Sequence, residues 1–170
     1  MARPFDMVHL SHDPYVKQKE LEDLRVTLVD FDTLFRESDF VCINVPLNES
    51  TKKLIDARAL SLMKPSAFLV STSRGPIVDE SALYEALKSQ SIAGAAMDVF
   101  EVEPTPPDNP ILKLDNVVVT PHSLCHTDEC NRLLAEGSFN AASAFARREV
   151  PRNLINPDVL AHPRVVEWFG

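Results

Sequence analysis

Residues 67–99 read AFLVSTSRGPIVDESALYEALKSQSIAGAAMDV: an apolar run, a polar turn, a helical pattern and a second apolar run. The two runs, 67–71 and 92–99, are short and dominated by small or branched apolar side chains, as strands are. Between them Asp79 can cap a helix, Val78 and Leu83 can staple its first turn, and Leu87 continues the stripe. Strand, helix and strand in that order form the repeating unit of a parallel sheet covered by helices. Residues 6–11, 25–29, 40–45 and 117–120 read as four more such strands, so the whole pattern predicts an α/β fold. Their apolar composition predicts burial on both faces.

Further along, Thr127 can cap a long helix with Asp128 and Glu129 in its first turn and Leu133, Leu134, Ala141 and Phe145 in its middle. Arg147 and Arg148 mark its end, and the helix is expected to close a first domain of residues 1–149. From 150 onward the composition shifts to Pro151, Asn153, Asn156, Pro157 and Pro163, which predicts a C-terminal tail, 150–170, that lies against something else. With 170 residues and 45% hydrophobic content the chain can bury one sizeable core. A net charge of -8 argues against a nucleic-acid or anionic-membrane surface and leaves a small molecule or a protein as partner. Cys42, Cys125 and Cys130 make no even disulfide framework, which fits a reducing cytoplasm. No stretch approaches the ~18 apolar residues of a membrane span, and MARPFDMVHL lacks the pattern of a secretion signal.

Polar clusters follow the strands. His12-Asp13-Pro14-Tyr15 follows the first; in a dinucleotide fold an acidic residue there accepts hydrogen bonds from the adenosine ribose. Asn44, Val45 and Pro46 end one strand, and Ser71-Thr72-Ser73-Arg74-Gly75 ends another. An arginine there can offer a planar fork to a carboxylate. Asp98, Glu101 and Glu103 leave the next strand, and Thr120-Pro121-His122 leaves the last. Taken singly, Asp13-Pro14 is a turn, and Arg74 and His122 are ordinary turn residues. Polar clusters at four successive strand ends are more than core packing requires. His122, Cys125, His126 and Cys130 are irregularly spaced for zinc, and no metal is expected.

These residues, in this order, resemble the D-isomer-specific 2-hydroxyacid dehydrogenases. The likeness runs from about Ala2 to Ala146 through ARPFDM, HDPY, ESDFVCINVPLNESTKKLI, LMKPSAFLVSTSRGPIVDESAL, IAGAAMDVFEVEP and NVVVTPH. The resemblance implies a Rossmann-type parallel sheet with flanking helices, NAD as cofactor and a small 2-hydroxy or 2-keto acid as substrate. It implies that Arg74 clamps the substrate's carboxylate and carbonyl oxygen, that His122 gives or takes the hydroxyl proton, and that Glu103 pairs with His122. Glu101 is the rival of Glu103, but the family's acid stands just before proline, as Glu103 does. Asp98 matches the position that binds the nicotinamide carboxamide, and Thr51, Thr72 and Ser73 match positions that line the cofactor. Asn44, Val45, Pro46 and Ser123 are expected beside them. The chemistry agrees with the likeness, because hydride addition to a ketone builds negative charge on oxygen and calls for a proton donor and a fixed cation.

One departure bears on activity. The glycines are Gly75, Gly94, Gly137 and Gly170, and none forms the GxGxxG turn that admits a pyrophosphate to a helix N-terminus. The expectation is therefore a sheet lacking its first strand, together with a missing phosphate loop and substrate domain. In the order 3-2-1-4-5-6 that strand is central. Its loss would leave a gap closed by a different pairing, by a second copy of the chain, or by a missing N-terminal half. Two other functional classes stay open: an NAD(H)-sensing module that works by protein contact, as corepressors of the family do, and an inactive truncated remnant. An anionic Asp13 would repel a 2′-phosphate, which favours NAD over NADP.

Overall fold

The computed structural model describes residues 3–169; Met1, Ala2 and Gly170, where the expected segments begin and end, lie outside them. By its internal contacts the chain divides into two compact units, Met1–Ser123 and Leu124–Gly170.

The first unit holds six strands, each pairing in parallel with its neighbours: β1 (His9–Ser11), β2 (Val26–Leu28), β3 (Phe40–Ile43), β4 (Phe68–Ser71), β5 (Gly94–Met97) and β6 (Val117–Val119). Each lies within a run expected from the sequence but is shorter. The first run loses its first three residues, where Arg3–Phe5 form a 3-10 turn just before it and Asp6 takes a left-handed φ of 51°. Three helices accompany the strands: α1 (Phe31–Glu37), α2 (Ala57–Leu62) and α3 (Glu80–Lys88). Each begins at an aspartate whose carboxylate accepts a backbone N–H of the first turn: Asp30 from Thr33, Asp56 from Ala59 and Asp79 from Ala82. Val78 and Leu83 bracket the start of α3 and are both fully buried, as a hydrophobic staple requires.

The strands form two sheets rather than one. β1 pairs only with β2, and the other four run in the order β3-β4-β5-β6, with Phe40 opposite Phe68 and Phe68 opposite Gly94. No strand among the described residues pairs with the outer edge of β1 or of β3, so a new pairing does not close the expected gap. The four-stranded sheet buries one face: Val41, Ile43, Leu69, Ala95 and Met97 pack into a core with Ala59 and Leu60 of α2 and Leu83 and Leu87 of α3. Its other face carries Phe40 (54% exposed), Phe68 (41%) and Val118 (68%). The expectation of strands buried on both faces is thus corrected, because all three helices of this unit's core layer leave that face bare. Phe40 and Phe68 stack on each other there, ring centres 5.7 Å apart.

The second unit contains α4 (Asp128–Ala146) and α5 (Pro163–Phe169). Thr127 caps α4 through the Cys130 N–H, as expected. The expected tail is not a loose appendage. Trp168 stacks on Phe145 at 5.0 Å and donates its indole N–H to the Phe145 carbonyl, while Phe169 meets the same ring edge-on. These aromatic contacts group α4 with the tail in the compact unit Leu124–Gly170.

Candidate active site

The strands β3 to β6 are parallel, so their C-terminal ends face one way, and the residues that follow them can be set side by side. Beyond β4, Ser73 donates its hydroxyl to the Ile43 carbonyl at 2.8 Å and ties the end of β4 to the end of β3. Arg74 is extended and exposed, with its guanidinium donating to the Ser73 carbonyl at 2.6 Å. Gly75 explains how this turn meets the next loop: a Cβ there would lie 1.8 Å from the Phe100 carbonyl oxygen, so only glycine lets the two backbones touch.

The loop after β5 resolves the choice between the two glutamates. The Glu101 carboxylate accepts the Glu80 N–H at 3.0 Å, at the start of α3, and lies 4.0 Å from the Lys53 ammonium. Glu80 returns the contact to the Glu101 N–H and also accepts from the Asn109 amide. Glu101 is therefore spent on holding the loop. Glu103 accepts the Phe100 N–H with one oxygen, at 3.0 Å, and meets His122 Nδ1 with the other, at 2.8 Å. The bond with His122 foremost, then the Phe100 N–H, holds the Glu103 carboxyl below its ordinary range, and the Arg74 charge acts in the same direction. An ionised carboxylate only accepts, so Nδ1 carries a proton and Nε2 is the nitrogen able to exchange one with a ligand. His122 and Glu103 are 44% and 36% exposed, within reach of a small molecule.

Beneath the imidazole, Asp98 is nearly buried, at 4% exposure. Its Oδ1 accepts from the Thr120 hydroxyl at 2.5 Å and from the Ser123 N–H at 2.8 Å, and its carbonyl accepts the His122 N–H at 2.8 Å. Asp98 and Ser123 thus share one turn with His122, and this oxygen of Asp98 is engaged within it. Nothing in the sequence beyond a threonine two residues before a histidine hinted at Thr120.

The remaining expected residues are spread along the same edge. Thr51 braces its own loop, donating to the Pro46 carbonyl at 2.7 Å and accepting the Asn48 N–H. Asn44, Pro46 and Thr72 are exposed at the strand ends, and Val45 is half-buried against the core. Asp13 lies beyond β1, in the other sheet, where its carboxylate accepts the Tyr15 N–H at 2.9 Å. The structure therefore brings Arg74, Glu103 and His122 together from the loops after β4, β5 and β6, and leaves Asp13 at the end of a strand of the other sheet. Among the described residues no group of three or more His, Cys, Asp or Glu is arranged to hold a metal ion.

A parallel sheet with a paired imidazole and carboxylate at its C-terminal edge, and a guanidinium at the neighbouring strand end, is the arrangement of a dinucleotide-binding class of domain. Residues 1–123 match the family described as D-isomer specific 2-hydroxyacid dehydrogenase, NAD binding domain, and the chain belongs to that family. It is 45% identical over 159 residues to a glyoxylate reductase of Korarchaeum cryptofilum, covering 94% of this chain and 48% of that protein. It is 43% identical over 151 residues to a D-3-phosphoglycerate dehydrogenase of Archaeoglobus fulgidus, covering 86% of this chain and 29% of the relative. Its fold is similar to that of D-lactate dehydrogenase from Aquifex aeolicus complexed with NAD and lactic acid. The TM-score there is 0.77 at 32% identity, over 85% of this chain and 48% of that one. The chain spans about half the length of the glyoxylate reductase it matches.

Proposed function

We propose that this chain is the cofactor-side half of an NAD-dependent dehydrogenase that interconverts a small 2-hydroxy acid and its 2-keto acid. The observation that carries the reading is the 2.8 Å contact of Glu103 with His122 beside Arg74. In the reduction, Arg74 holds the substrate carboxylate and polarises its carbonyl, and His122 Nε2 delivers the proton that completes the hydroxyl. Glu103 fixes the ring so that Nε2 faces the substrate and stabilises the imidazolium before transfer. In the oxidation the same nitrogen takes the proton away. NAD, when bound, supplies the hydride or accepts it.

The residues fit that cofactor in part. Asp13 stands at the strand end where a ribose diol is bound, and its charge disfavours a 2′-phosphate. In this reading Asn44, Val45, Pro46, Thr51, Thr72, Ser73, Asp98 and Ser123 would line the rest of the cofactor site, whereas no GxGxxG turn for the pyrophosphate stands in this sequence. We therefore assign that cradle, and the far wall of the substrate pocket, to a second segment: an N-terminal half or another chain docked at the open edges of β1 and β3. The same reading places the protein in the cytoplasm, where Cys42, Cys125 and Cys130 stay free; no described helix is long and apolar enough to cross a membrane.

Calorimetric titration of NADH and NADPH into the purified chain, followed by NADH oxidation with a panel of 2-keto acids, tests this. NADH is expected to bind with Kd near or below about 1 mM, about 4 kcal/mol, and more tightly than NADPH. Any 2-keto acid turnover should fall by about 10²-fold or more in His122→Gln. NADH binding without oxidation of any 2-keto acid would overturn the catalytic reading and favour an NAD(H)-sensing module. No binding of either nucleotide would mark the chain as inactive by itself.

A further inference from the structure

We propose that Thr120 is a positioning residue for His122, acting through the Asp98 carboxylate. This rests on the proposed role of His122 and adds to it a residue whose hydroxyl is bonded to Asp98. His122 sits in a left-handed backbone conformation, φ 51°, which a non-glycine residue holds only when its surroundings impose it. Three hydrogen bonds converge on Asp98 to impose it: His122 N–H on the carbonyl, and Ser123 N–H with the Thr120 hydroxyl on Oδ1. The Thr120 N–H in turn donates to the Met97 carbonyl at 2.9 Å, which anchors the turn to the end of β5.

A buried carboxylate must be satisfied by hydrogen bonds, and its rotation about the side-chain axis is limited by the donors that hold it. The Thr120 hydroxyl and the Ser123 amide both donate to Oδ1, so the Ser123 bond depends on that oxygen staying in place. Without the hydroxyl, Oδ1 keeps one donor fewer, its bond with the Ser123 N–H loosens, and the left-handed conformation at His122 is held less firmly. The imidazole would then leave Glu103, although neither residue had been altered. Glu103 is flanked by His122 and by the Arg74 charge, while Lys53 is engaged by Asp79 and Glu101, so the imidazole contact is the one that Thr120 can release.

The test compares Thr120→Val, which keeps the shape without the hydroxyl, with Thr120→Ser, which keeps the hydroxyl. The Glu103 side-chain carboxyl is titrated by carbon-13 NMR in the chain as purified. In Thr120→Val its midpoint is expected to rise toward the ordinary glutamate value, while Thr120→Ser titrates as the parent does. A Thr120→Val protein that is folded and titrates like the parent overturns the proposal. Should Thr120→Val not fold, amide exchange in the parent decides: slow exchange at His122 and Ser123 supports the anchor, and exchange at the unprotected rate at both sinks it. The readout needs no turnover. Failure of the 2-keto acid assay therefore leaves it intact, and its own failure leaves the dehydrogenase reading standing.

Discussion

Glu103 reaches His122 because it stands two residues beyond Glu101, which is tied to the first turn of α3 and fixes where the loop leaves the core. The same carboxylate makes the site sensitive to acid. Its folded value lies below the ordinary one, so its contribution to stability is fully present above the ordinary glutamate value, about pH 4.3, and is lost as pH falls through the depressed value. A melting series from pH 6 to pH 2 on the parent and on Glu103→Gln should show the gap between them closing below about pH 4.3. A gap that stays constant down to pH 2 would mean that the pair contributes nothing to the fold. Residue identity at this scale was legible in the sequence for Arg74, Glu103 and His122. The part played by Thr120 was not, because a hydroxyl's partner depends on which backbone turn brings it over a carboxylate.

Among the elements, the strand ends and the turns that follow them decide the geometry. The cap at Asp79, the staple of Val78 and Leu83 and the strands themselves follow from local pattern, and the structure places them where the pattern does. The packing of one turn on another does not. Gly75 lies against the Phe100 carbonyl, and an alanine there would force apart the turn carrying Arg74 and the loop carrying Glu103. Gly75→Ala is expected to cost about 1–3 kcal/mol by denaturant unfolding, as overpacking against backbone does. A loss within about 0.5 kcal/mol would show that the two loops have room to separate. From the sequence, Arg-Gly reads only as a turn; the second backbone at 1.8 Å from the missing Cβ is a tertiary fact.

At the scale of the whole molecule, the open edges of β1 and β3 and the bare sheet face around Phe40, Phe68 and Val118 are an adhesive surface. Sedimentation velocity should show association that grows with concentration and weakens in Phe68→Glu, which places a charge on that face without entering the core. A monodisperse monomer across the range would show that the exposed face and edges need no partner. Here sequence and structure divide by physical cause. The sequence by itself determined the α/β alternation, the helix caps, the family likeness and the identity of the charged residues, because these depend on side-chain chemistry and short-range periodicity. Only the tertiary structure decided that the strands form two sheets, that one face stays uncovered, that Glu101 is tied to the start of α3, and that the tail belongs with α4. Each of those depends on which backbones approach across long stretches of chain, and no local pattern encodes that distance.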